Sequence, residues 1–169
     1  MINSIIFIIC SLLINNIALA NSEEEGKIKF NYLGVRFQVP SNISAMGLVE
    51  GKEDMLIIRY GNTPSKNYLS FTNLDNKYEC DLSIVLKGAF ENGDIGKCNN
   101  KAKEFVAAYT TNSEISIGQA KNFTVYYSIN KQQVDTFILI NVNKVIYIDT
   151  DFLDRKEVIN LIHSTYGDN

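Results

Sequence analysis

The chain has 169 residues, 46% of them hydrophobic, and a formal net charge of −3 with Lys and Arg interspersed among Asp and Glu. That balance offers no basic stripe, which argues against a nucleic-acid partner and against electrostatic docking on an anionic membrane. The length suits one domain with a real hydrophobic core, and no second domain is needed.

Residues 1–20, MINSIIFIICSLLINNIALA, hold no charged side chain, and their apolar run from Ile5 to Leu13 is far shorter than the roughly 20 residues that cross a bilayer. Ala18, Leu19 and Ala20 form an A-x-A end, so this stretch reads as a cleavable secretory signal whose only positive charge is the α-amino group. Cys10 lies in mid-run behind large residues, ten positions before that cleavage site, which disfavours a lipoprotein cysteine. The expected location is therefore periplasmic or secreted, with no membrane span after cleavage. Removing the first twenty of 169 residues leaves 149. Residues 21–26 read as a mobile acidic lead (Ser22 to Gly26 is SEEEG), and 27–169 as a single globular domain.

In that domain Ile28, Phe30 and Tyr32, then Val35, Phe37 and Val39, alternate with polar residues around Leu33 and Gly34, which predicts a hairpin ended by Pro40. Ser41 to Gly51 reads as a loop with a short strand at Gly47 to Val49. Met55 to Tyr60 and Tyr68 to Thr72 read as strands separated by the turn cluster Gly61 to Lys66. Leu82, Val85, Leu86 and Ala89 follow a helical stripe, although Leu82, Ile84 and Leu86 also alternate; helix is the favoured reading. The loop Glu91 to Lys97 breaks it, and Ala102, Phe105, Val106 and Tyr109 mark a second helix. Asn112 to Gln119 leads back to sheet.

From Asn122 onward, Phe123, Val125, Tyr127 and Ile129 alternate with polar or aromatic partners, as do Thr136, Ile138, Ile140 and Val142. Short turns at Asn130 to Gln133 and at Asn143 and Lys144 predict antiparallel pairing. Asp154 with Glu157 predicts a capping box, Leu153 and Val158 a staple, and Val158, Leu161, Ile162 and Thr165 a helical face ended by Gly167. Segregated strands and helices of this kind predict an α+β fold, a mainly antiparallel sheet of about six to eight strands covered by about three helices.

Cys80 and Cys98 are an even pair in an exported chain, with seventeen residues between them, and predict one intrachain disulfide. A redox dithiol would want C-x-x-C spacing, which is absent. His163, the only histidine, falls at about 140° from the predicted helical stripe, on its wet shoulder, with no nucleophile or orienting partner to nominate. Asp149, Asp151 and Asp154 are the weak candidates for metal, yet a calcium loop would need an acid at 153 and glycine at 154, where this chain has Leu153 and Asp154. Glu91, Asp94, Gly93 and Gly96 could form a site loop, but a helix-to-helix turn is the favoured reading. Tyr126, Tyr127 and Tyr147 are the interface candidates, since aromatic residues dominate binding hot spots, with ordinary sheet packing as the alternative. Asn42 and Asn122 match glycosylation sequons, which matter only on a eukaryotic secretory route. No catalytic motif or cofactor-binding signature occurs.

The hairpin YLGVRFQVP, with Gly34, Phe37 and Pro40 in a G-x-x-F-x-x-P spacing, and the closing TFILINVNKVIYIDTDFLDRKEVINLI resemble the two ends of PsbP-like domains. The resemblance covers about a third of the exported chain. It implies a sandwich of antiparallel sheet and helices with an accessory or protein-binding role and no shared catalytic site, so no functional residue carries over. The Cys80 to Cys98 bridge is not a feature it implies.

The functional expectation is an exported non-enzymatic binding protein with a protein partner, of inhibitor or immunity type. The alternatives are a small hydrolase using carboxylates, with Asp149, Asp151 and Glu91 as first suspects, and a small-ligand carrier, which needs an apolar cavity.

Overall fold

A computed structural model describes residues 26–50, 54–63, 66–74, 77–96, 98–131 and 133–165. The expected signal segment 1–20, the expected acidic lead up to residue 25, and Gly167 lie outside the described residues. β1 (Lys27–Tyr32) and β2 (Val35–Pro40) pair antiparallel as the expected hairpin. Leu33 and Gly34 turn it at φ 53° and 89°, the left-handed values that a two-residue hairpin turn requires. Gly34 adopts this conformation freely, whereas Leu33 carries a Cβ penalty.

Two antiparallel meanders follow. β3 (Ala45–Val49), β4 (Met55–Arg59) and β5 (Tyr68–Asn73) form the first, and β6 (Glu114–Ala120), β7 (Phe123–Asn130), β8 (Gln133–Asn141) and β9 (Lys144–Thr150) the second. β5 pairs with β9, which fuses them into one sheet in the order β3-β4-β5-β9-β8-β7-β6. The segment read only as a return to the sheet is thus itself a strand, β6, on which Ile115 and Ile117 alternate with Glu114 and Ser116. The β8–β9 turn is Val142 and Asn143, one residue earlier than the sequence suggests, and Val142 is exposed there.

α1 (Leu82–Phe90) and α2 (Asn100–Thr110) occupy the connection between the meanders. Leu82, Val85, Leu86, Ala89 and Phe90 are buried while Ile84 is 41% exposed, so the helical repeat prevails over the alternating one. Asn99 caps α2 by accepting from the Ala102 amide. Cys80 and Cys98, each just ahead of one helix, form the disulfide.

Both faces of the large sheet are covered. On one, Tyr126, Phe137 and Val145 meet Leu82, Leu86, Phe90 and Phe105 of the helices. On the other, Leu56, Phe71, Val125, Ile138 and Ile146 meet Phe30, Phe37 and Val39 of the hairpin and Val158 of α3 (Arg155–Leu161). The predicted capping box at Asp154 and Glu157 is present.

The predicted helical face does not run on to Thr165. Leu161 ends α3, and β10 (Ile162–Thr165) pairs with β2 to complete a three-stranded sheet β1-β2-β10. Ile162 keeps its helical-stripe burial, but its backbone serves the otherwise open edge of β2, a long-range partner that local periodicity cannot register. The fold among the described residues is α+β: three helices and ten strands in two antiparallel sheets, with one disulfide.

Candidate functional site

On the face that carries α1 and α2, Ser70, Asp149, Asp135 and Ser128 are successive cross-strand neighbours on β5, β9, β8 and β7. The two aspartates therefore stand directly opposite each other. Gln133 Nε2 donates to Asp135 Oδ1 at 3.4 Å and to Asp149 Oδ1 at 3.2 Å, bridging them. The Tyr147 hydroxyl donates to Asp135 Oδ1 in a short bond, and the Tyr68 hydroxyl donates to Asp149 Oδ2 at 2.8 Å.

Asp135 is only 6% exposed. Burial pushes its carboxyl up to about 6, against the downward pull of the Tyr147 hydrogen bond and with some help from the charge on Asp149. Burial raises the Asp149 carboxyl as well, opposed by the bonds from Tyr68 and Gln133. Burial also raises both phenols above their ordinary range, so they stay protonated and keep donating. The group is an inward-turned acid pair tied down by neighbours, and its clearest consequence is pH-dependent stability.

The folded state holds the Asp135 proton more tightly than the unfolded chain, so the stabilisation is full below the ordinary value of 3.8 and is lost as pH rises through about 6. Asp135→Asn keeps an acceptor for Tyr147 but cannot ionise. In urea melts the wild type should lose about 1–2 kcal/mol relative to this variant between acid and neutral pH, allowing for screening at the rim. Parallel pH profiles for the two proteins would rule the shift out.

The other acids are committed elsewhere. Asp151 accepts from the Asn67 amide at 3.1 Å and the Tyr68 amide at 3.0 Å, one on each oxygen. Asp154 Oδ1 accepts from the Glu157 amide at 2.8 Å, and the Asp154 amide in turn donates to Glu157 Oε2 at 2.8 Å. Among the described residues no cluster of three His, Cys, Asp or Glu side chains is arranged to hold a metal. Glu91 is exposed and accepts from the Tyr126 hydroxyl at 2.9 Å, with β8 lying between that tyrosine's strand and that of Asp149. Of the three hydrolase suspects, Asp149 and Asp151 are neighbours, both bonded by Tyr68, and Glu91 is not brought to them. In the loop after α1, Gly93 N–H donates back to Lys87 O at 3.2 Å and Gly96 N–H to Asp94 Oδ1 at 2.6 Å, the bonds of a helix-to-helix turn.

Two interface candidates are corrected. Tyr126 and Tyr127 are 1% and 0% exposed, because β7 lies inside a sheet covered on both faces and both of its alternating sets are buried. Tyr147 is half-buried and spends its hydroxyl on Asp135. His163 lies on β10, not on the shoulder of a helix.

The surface least satisfied within the chain is β3. Among the described residues it pairs only with β4 and ends the seven-stranded sheet. All five of its residues, AMGLV, are exposed, with Met46 at 43% and Leu48 and Val49 at 50%. Edge strands are normally blunted by charge, proline or a bulge, and β3 has no charged residue or proline. Sequence reasoning placed a short strand here but missed Met46 and the edge position; the uncharged run Ala45 to Val49 was the available signal. The opposite edge, β6, carries Glu114 and a single strongly exposed large apolar residue, Ile117.

Among the described residues no helix is long and apolar enough to cross a membrane. No family model matches the chain, and no curated protein or solved structure matches it.

Proposed function

We propose that the protein is an exported, non-enzymatic binding domain that captures an extended segment of a partner protein by strand addition to β3. The observation that carries this is the open, uncharged, apolar edge. An added strand would take up its outward N–H and C=O groups, and Met46 and Leu48 would give side-chain selectivity. The disulfide supports an oxidising compartment, periplasmic or extracellular. The resemblance to PsbP-like domains agrees with an accessory role, and masking a partner's extended segment suits an inhibitor or immunity-type protein.

Charge selects the occupant. Exposed Glu50 and Asp54 flank the β3–β4 turn, so the favoured segment alternates apolar residues and carries Lys or Arg near one end. A second copy of this chain, with its own net charge of −3, is the poorer fit. Selection of displayed peptides on the intact protein should enrich such segments. Met46→Lys combined with Leu48→Lys should weaken their binding about tenfold or more, because edge lysines oppose strand addition. Failure to enrich any peptide, or binding that survives both lysines, overturns the reading. Concentration-dependent dimerisation that the lysines abolish would assign the edge to a second copy and also overturn it.

A further inference from the structure

We infer that a separate cavity beside α3 binds a soluble amphipathic anion, a carboxylate or phosphate head on a short aliphatic body. The cavity is about 690 Å³, within the usual range for small-ligand sites, and lies between the β7–β8 turn and α3. Val134, Leu153 and Ile159 supply apolar lining, the first two of them buried. Lys131, Arg155 and Lys156 supply three cationic groups, two of them on exposed residues.

Asp151 and Asp154 also line the cavity and offset part of that charge. Backbone amides hold both oxygens of Asp151, from Asn67 and Tyr68, and Oδ1 of Asp154, from Glu157. Among the described residues no carboxylate pairs with these cations, and Arg155 sets its guanidinium over the Tyr127 ring, 5.0 Å from the centroid. An aromatic face positions a cation without neutralising it. Gly118 leaves room for this stacked pair, since a Cβ there would come within 3.3 Å of the Tyr127 ring and 3.9 Å of Arg155 Nη2. The buried Tyr127 hydroxyl beneath Arg155 has no hydrogen-bond partner among the described residues, although Tyr127 itself does not line the cavity. An apolar lining whose rim sets three cations against two carboxylates favours a ligand that is greasy at one end and negative at the other.

The probes are octanoate, octyl phosphate and octylammonium, followed by methyl NMR of the intact, disulfide-bonded protein. Octanoate and octyl phosphate should shift the Val134, Leu153 and Ile159 methyls saturably, and octylammonium should not. Lys131→Gln with Lys156→Gln, both at exposed positions, should weaken octanoate binding about tenfold at low salt. Absence of a saturable shift with either anion, an equal response to octylammonium, or unchanged binding in the double variant overturns the proposal. So does sedimentation with phosphatidylglycerol vesicles in the absence of any octanoate response, which would assign the cations to a lipid surface. Met46→Lys with Leu48→Lys should leave the octanoate response unchanged, so this site and the β3 edge are tested separately.

Discussion

Phe137→Ala is expected to lower the unfolding free energy by about 3–5 kcal/mol, the usual cost of emptying a phenylalanine site in a packed core. The residue is fully buried at the centre of β8, under both central helices. Its ring stacks on Tyr147 with centroids 5.0 Å apart, meets Phe105 and Tyr109 edge-on at 5.3 and 4.9 Å, and tilts against Phe90 at 5.7 Å. One side chain thus connects α1, α2, β8 and β9, and an alanine there leaves a void that helices anchored on a rigid sheet cannot close. Urea denaturation followed by near-ultraviolet dichroism measures the loss. Ile117→Ala, on an exposed edge position, is the control and should cost less than about 1 kcal/mol. Equal effects for the two would contradict the central position of Phe137.

Opening the disulfide has the second-largest expected effect. Cys80→Ser with Cys98→Ala should cost about 3 kcal/mol, the chain-entropy value for a loop of this size, with alanine chosen at the buried Cys98 to avoid burying a hydroxyl. The closed loop contains all of α1, so the bridge limits how far both helices can separate in the unfolded chain. A reductant should lower the wild-type urea midpoint by a similar amount and leave the variant unaffected. A wild type indifferent to reductant would mean that the unfolded loop is already confined by residual structure.

Much of the element order could be read without coordinates. The β1–β2 hairpin, both central helices, the β7–β9 meander and the capping box of α3 all rest on interactions within a few residues, which local pattern reports directly. The acid pair shows where that reading stops. The β8–β9 register shifts between Leu139 and Asn141, so that Asn141 faces Lys144 while Asp135 faces Asp149. Without the shift, the Asn141–Lys144 register would carry Asp135 past Asp149 to the next residue, and a one-residue slip reverses which face each side chain meets. Local sequence therefore groups Asp149 with Asp151 and Asp154, or with Asp151 and Glu91 as hydrolase suspects, and never with Asp135.

The tyrosines fail for a related reason. Alternation in β7 suggested one wet face, but a strand inside a sheet covered by helices on one side and by a hairpin and α3 on the other has none. β3 is the converse: a short uncharged run reveals a strand but not whether that strand has two neighbours or one. Composition and local periodicity by themselves determined the α+β class, most helical and strand segments (β6 and β10 excepted) and the cysteine pair, because each depends on spacing along the chain. Only the tertiary structure decided that β10 leaves the helix to join β2, that Asp135 meets Asp149, and that β3 rather than Tyr126 or Tyr127 is the exposed apolar surface. Those outcomes depend on pairings between distant strands, whose backbone hydrogen bonds and two-sided burial are not encoded in any local pattern.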